Sequence, residues 1–219
     1  MPRTLFNAVA VAALFAAPAV VAAQYEPARP PNAGHDAHAA SRSSLHTTLN
    51  TLLQEHVYLA SAATGAALGN RSAEFKAAAD ALDMNSKALS AAVGSVYGAD
   101  VATSFLALWR RHIAIVVDYT TAVAKKDKAG AEKAVTELVG YTQAFAAFLG
   151  GANPHLPKAA VADLVKTHIL TLKDVIDAQA SRNSAKSYAA LRTAASHMQM
   201  IADPLADAIG KQFPNKYGN

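Results

Sequence analysis

The chain has 219 residues, of which 52% are hydrophobic and 7% aromatic, with 20 Lys+Arg against 16 Asp+Glu, eight His and no Cys. That length suits one sizeable domain or two small ones, and an alanine-rich, aromatic-poor composition suits closely packed helices better than sheets. The lack of cysteine excludes disulfides, thiolate catalysis, thiolate metal sites and iron–sulfur clusters; a scattered excess of only +4 is no nucleic-acid footprint, which needs a clustered basic stripe.

Residues 1–23 read as a secretory signal peptide. Arg3 supplies a positive start, Leu5 to Val21 an apolar stretch, and Val21-Ala22-Ala23 a small-residue cleavage pattern. Its removal takes away one Arg and no acidic residue, so the excess falls by one to +3. No run of 18 apolar residues remains to span a membrane, and a periplasmic or secreted bacterial protein is expected. Residues 24–42, rich in Pro, Ala and Gly, read as a flexible leader. His35 and His38 lie there in GHDAH, a pair able to pick up a loose metal ion but better read as solvated linker.

From Ser43–Ser44, a plausible N-cap, to residue 213 the chain reads as helices. The first runs to about Leu68, with Leu45, Leu49, Leu52, His56, Leu59 and Ala63 at the three-or-four spacing of a buried face. The second runs from Ser72 or Ala73 to about Val96, with Leu82, Asn85 or Ser86, and Leu89 inward, and ends at Gly98. The third turns Phe105, Leu108, His112, Ile115 and Tyr119 inward, with Trp109 flanking. The fourth spans about Lys128 to Leu149 and carries Leu138, Tyr141 and Phe145. GGANPHLP (150–157) is a break whose His155 reads as a solvated loop residue. The fifth runs from Pro157 to Ser181 through Val161, Leu164, His168 and Val175. The sixth starts at Ser184 and contains Pro204, which should kink or locally break it. The tail, residues 214–219, is expected to fray.

These six helices are three copies of one unit. His56, His112 and His168 stand 56 residues apart and 56 again, in EHVYLASAATGAAL, RHIAIVVDYTTAVA and THILTLKDVIDAQA. Agreement without gaps continues through GNRSAEFKAAADAL, KKDKAGAEKAVTEL and SRNSAKSYAALRTAA, and a fixed period of this kind marks a repeated supersecondary unit. Each unit is an antiparallel helical hairpin with its turn near Asn70–Arg71, Lys126–Asp127 or Arg182–Asn183. The fold class is therefore all-α. Either a six-helix bundle wraps the hairpins about a pseudo-threefold axis, with the odd helices parallel, or a four-helix bundle carries a docked hairpin.

Because both arms of a hairpin rise equally per residue, residues equidistant from the turn share a level. That counting sets His56 level with Asn85, His112 with Tyr141 and His168 with His197. A polar layer thus crosses the core, bordered in sequence by Met84, Met198 and Met200. Three or four imidazoles at one height suit Zn²⁺ or Cu²⁺; neighbouring thioethers favour Cu(I), and haem iron also takes His/His or His/Met pairs. The candidate metal ligands are His56, His112, His168 and His197, with Met84, Met198, Asn85 and Tyr141 as auxiliaries. A buried polar layer also fixes helix register with no ligand at all, so both readings stand.

Asp118 and Asp174 follow their histidines by six residues and turn off the histidine face, which reads as surface charge. No carboxylate precedes a histidine by three, so the di-iron pattern is absent. H-E-x-x-H, G-x-S-x-G and phosphate-binding glycine loops are missing too, and nothing specifies a catalytic residue.

At EHVYLASAATGAAL, ALDMNSKALSAAVGSVYG and LWRRHIAIVVDYT the chain resembles an uncharacterised family of secreted bacterial helical-repeat proteins, over about residues 44–213. Some members carry a label borrowed from copper amine oxidases. The chain lacks the Asn-Tyr-Asp/Glu stretch from which that enzyme's quinone is made, and it is helical where that catalytic domain is β-rich. The resemblance implies a secreted helical protein and tilts the metal reading towards copper. The expectation is an exported binding protein handling a metal or haem, with a non-catalytic envelope module as the alternative.

Overall fold

The computed structural model describes residues 33–217, with side chains from Ser41 onward. The signal reading of residues 1–23, residues 24–32 of the leader and the side chains of His35 and His38 lie outside that range. The helices are α1 (Ala33–Leu68), α2 (Ser72–Tyr97), α3 (Ala99–Lys125), α4 (Lys128–Ala152), α5 (Lys158–Ala180), α6 (Ser184–Gln212) and a short α7 (Pro214–Tyr217). No strand occurs among the described residues, and no helix there is long and apolar enough to cross a membrane.

Three identical turns make the hairpins. Asn70, Lys126 and Arg182 occupy the left-handed region, with φ of 56°, 58° and 56°. In each turn that residue's N–H bonds a carbonyl three back, and the next N–H bonds one five back: Arg71 to Ala66, Asp127 to Ala122, Asn183 to Ala178. This pair of bonds is the Schellman ending, which satisfies carbonyls that a helix end leaves open. Helix restarts differ in strength. Asp127 and Asn183 accept from the backbone N–H of Gly130 and Lys186, whereas Arg71 at the same repeat position caps nothing with its side chain.

Each helix packs on its sequence neighbours, and α6 returns against α1 to close a ring. Inside the ring α1, α3 and α5 touch one another, while α2, α4 and α6 lie outside. This is the pseudo-threefold arrangement, with odd helices parallel. α1 is covered from several sides, so its buried stripe is wider and rotated relative to the expected one: Leu45, Leu49, Leu53, Val57 and Ala60 are buried, while Leu52 and Leu59 are only half-buried.

Two expectations on the polar ends need correction. α1 begins at Ala33, well before the Ser43–Ser44 cap, because Ala37, Ala39 and Ala40 favour helix more than the leader composition suggested. The tail does not fray over residues 214–217, where Tyr217 is buried and Lys216 Nζ donates to the Ser95 carbonyl at 2.9 Å. α6 also runs through Pro204 as one helix rather than breaking.

At the end of the bundle remote from the hairpin turns, Asn153 is fully buried and its side chain donates to the Tyr97 hydroxyl at 3.0 Å. That hydroxyl donates to Gln212 at 3.1 Å, and Gln212 donates back to the Ala152 carbonyl. One polar chain therefore ties α2, α4 and α6 together beneath the core.

The left-handed turn residues yield a stability test. Asn tolerates this conformation, but a longer L-residue pays roughly 1 kcal/mol for it. Arg182→Gly and Lys126→Gly should each raise the unfolding free energy by up to about 1 kcal/mol, read as a higher urea midpoint at unchanged m-value, and Asn70→Gly by much less. Equal or negative effects at all three would contradict the assigned turns.

Candidate metal centre

One helical level of each inner helix places an imidazole on the axis. His56, His112 and His168 are 1%, 3% and 5% exposed, and one nitrogen from each lies within 4.8 Å of the others. His56 Nε2 and His112 Nε2 are 3.4 Å apart. Ring centroids are 5.3 Å apart for His56–His112, 5.7 Å for His56–His168 and 6.4 Å for His112–His168. The group contains no carboxylate.

The level-counting holds in each hairpin. Asn85 Nδ2 donates to the Leu52 carbonyl at 2.9 Å and to Glu55 at 2.7 Å. His197 Nε2 lies 2.9 Å from the Leu164 carbonyl, the equivalent oxygen two repeats on. A carbonyl only accepts, so His197 Nε2 carries a proton there and is no ligand atom in this arrangement. In the middle hairpin Tyr141 instead sets its ring 5.1 Å from that of His112. Of the four candidate ligands, three converge and His197 stands behind His168.

The methionines divide. Met198 is 1% exposed and borders the same internal space as His112 and His168. Met84, expected as an auxiliary, is 64% exposed, and Met200 is exposed too. One residue along a helix is a rotation of about 100°, so Met84 turns outward because Asn85 turns inward. Asp118, Asp174 and His155 are exposed, as expected of surface groups.

Trp109 does more than flank the core. Its ring lies 4.8 Å from His56 and 4.6 Å from His112, covering both, and it stacks on Phe105 at 5.3 Å. Leu53 and Val165 hold the same repeat position, so at that position only α3 sets an aromatic ring against the imidazoles. Extending the 56-residue comparison to these flanks, and to Tyr97 and Asn153, would have found both features from sequence.

Electrostatics leave the three rings neutral. Burial, and then mutual repulsion with His112 and His168, holds His56 well below the usual histidine range. Burial and His168 push His112 down to about 3, against a small opposing effect of the Trp109 backbone. That backbone makes no well-aligned bond, for Nδ1 of all three rings lacks a partner. Burial and His197 push His168 down to about 4. Burial also raises the Tyr141 hydroxyl far above its ordinary value, keeping it protonated.

A cleft of about 490 Å³ between α1, α2 and α3 opens near Asn70 and Lys125 and reaches His56 and His112. Through it the buried nitrogens have a route to solvent.

Low pKa values in the folded state make acid destabilising. Above pH 6.5 both states hold neutral imidazoles; below it the unfolded chain takes up protons that the folded one refuses until about pH 4. Stability should therefore fall between pH 6.5 and 4, by up to about 1.4 kcal/mol per pH unit for each ring. Urea unfolding at pH 7, 6 and 5 reads this, and His168→Gln should remove one ring's share of the slope. A flat profile would refute the neutral, desolvated cluster.

Comparison of the chain with protein-family models, with curated proteins and with solved structures finds no match, so the functional reading stands on the chemistry of the three imidazoles.

Proposed function

We propose that this chain is an exported binding protein that holds one metal ion on His56, His112 and His168, with cuprous copper as its best-suited ion. The observation that carries this is the convergence of three neutral imidazole nitrogens within 4.8 Å. Metal–imidazole bonds of about 2.0–2.1 Å put ligand nitrogens roughly 3.3–3.5 Å apart. His56 and His112 already stand at 3.4 Å, and small ring rotations would bring in His168.

Charge favours a monovalent ion. The cost of burying an ion grows with the square of its charge, and no carboxylate joins the group to offset a dication. Soft thioether character nearby, from the buried Met198, favours Cu(I) over Zn²⁺. Haem is less well suited, because a porphyrin lies across the ligating nitrogen and that space is taken here by the other two imidazoles. The arrangement supplies binding and an access cleft but no acid, base or nucleophile aimed at a substrate, which favours carriage over catalysis.

A second reading rests on the His56–His112 contact. Two neutral imidazoles at 3.4 Å can share one proton as a hydrogen bond, and such a layer would fix helix register with no ion, as in a non-catalytic envelope module.

Anaerobic titration of the purified protein with Cu(I), followed by thermal melting with ion and with chelator, separates the two. The metal reading expects one equivalent bound per chain and stabilisation of about 2.7 kcal/mol at a hundredfold excess over Kd. His112→Ala should abolish that gain. If ion leaves the parent's melting unchanged while His112→Ala lowers it equally in both conditions, the layer serves structure alone. Export has its own test: intact-mass measurement on protein recovered outside the cytoplasm should show a mature start at or within a few residues of Gln24, and retention of Met1–Ala23 would overturn it.

A further inference from the structure

On the other side of the imidazoles from the cleft, the side chains leave the axis of the ring incompletely filled. Side chains from all six long helices leave a narrow internal chamber of about 60 Å³ between the histidine level and the Tyr97–Asn153 tie. A water needs roughly 10–15 Å³ of such space and two to four polar partners. The chamber has the room, and offers free polar partners only at its histidine end. Its wall is made of leucine, valine, isoleucine, phenylalanine and alanine side chains, among them Leu49, Leu89, Phe105, Phe145 and Val165. Tyr97 closes one end with its hydroxyl already bonded to Gln212 and Asn153. Polar atoms without partners, Nδ1 of His112 and His168 and Nε1 of Trp109, sit at the histidine end only. The remainder, away from that end, is apolar, and cavities of this character stay dry and take up small apolar molecules.

We propose that this chamber is a binding site for a small apolar gas molecule, of the class and size of dioxygen, held among the apolar side chains of Leu49, Leu89, Phe105 and Phe145 beside the histidine level. Occupancy of the chamber depends on its shape and dryness alone. That the gas is presented to a metal-bearing cluster rests on the metal reading given above. His112 borders both the chamber and the solvent-reaching cleft, whereas His56 borders only the cleft and His168 only the chamber. The cluster is thus a partition, with water on one face and an apolar compartment on the other.

Xenon is the probe, because it is apolar, monatomic and visible by anomalous scattering. Crystals of the metal-free protein and of the Cu(I)-loaded protein, both pressurised with xenon, should show one xenon in the chamber. Ile201→Phe, which adds bulk to the chamber wall away from the three histidines, should remove that xenon while Cu(I) still binds at one equivalent. Should that variant fail to fold, Val93→Phe fills the same space from α2. Xenon absent from the parent's chamber, or ordered water occupying it, overturns the proposal. Xenon present in a protein that binds no Cu(I) leaves the gas site standing and removes the metal reading instead.

Discussion

Three parallel helices sharing one axis must agree on what each places there, and this chain places an imidazole. Three imidazoles brought together out of water tolerate one protonation state only: the first proton would meet desolvation, and a second would meet the first. Much of the surrounding structure follows from keeping that group together and neutral. The outer helices supply a polar neighbour at the same level in Asn85, Tyr141 and His197, and two of these bond an inner-helix carbonyl rather than the rings. Nδ1 of each ring is left without a partner, which is an energetic cost.

The ring of helices has two unlike interiors on either side of that level. Towards the hairpin turns, small residues such as Ala60, Ala63 and Thr64 on α1 leave a cleft between the first hairpin and α3. Away from the turns, larger side chains meet across the axis and nearly fill it. Local sequence decides which end is open, because the repeat preserves backbone geometry while side-chain volume varies from unit to unit.

Repeat length and hairpin geometry were legible from the chain because they depend on registers that sequence records directly. A 56-residue period, a polar turn and equal rise on both arms suffice to bring His56, His112 and His168 to one height. Rotation about each helix axis was harder to read. Met84 adjoins Asn85 in sequence yet faces solvent, and the three-or-four spacing points Leu52 and Leu59 inward where Leu53 and Val57 hold that position. An amphipathic pattern fixes a helix face only to within a residue or so when neighbours press from three sides. The choice between a closed ring and a four-helix core was not legible either, since it turns on α6 meeting α1, a contact between segments far apart in the chain.

Trp109 shows what the covalent linkage of three hairpins permits. A symmetric trimer of identical, separate hairpins would set three equivalent side chains at this position, all Trp or none. Here Leu53, Trp109 and Val165 share the space, each 6% exposed or less. Joining the units into one polypeptide frees each copy to differ. Threefold symmetry then survives in the backbone and the imidazoles, and is broken in the wall beside them. A guest at such a site meets three chemically distinct approaches instead of three equivalent ones, and that gives it a single preferred orientation.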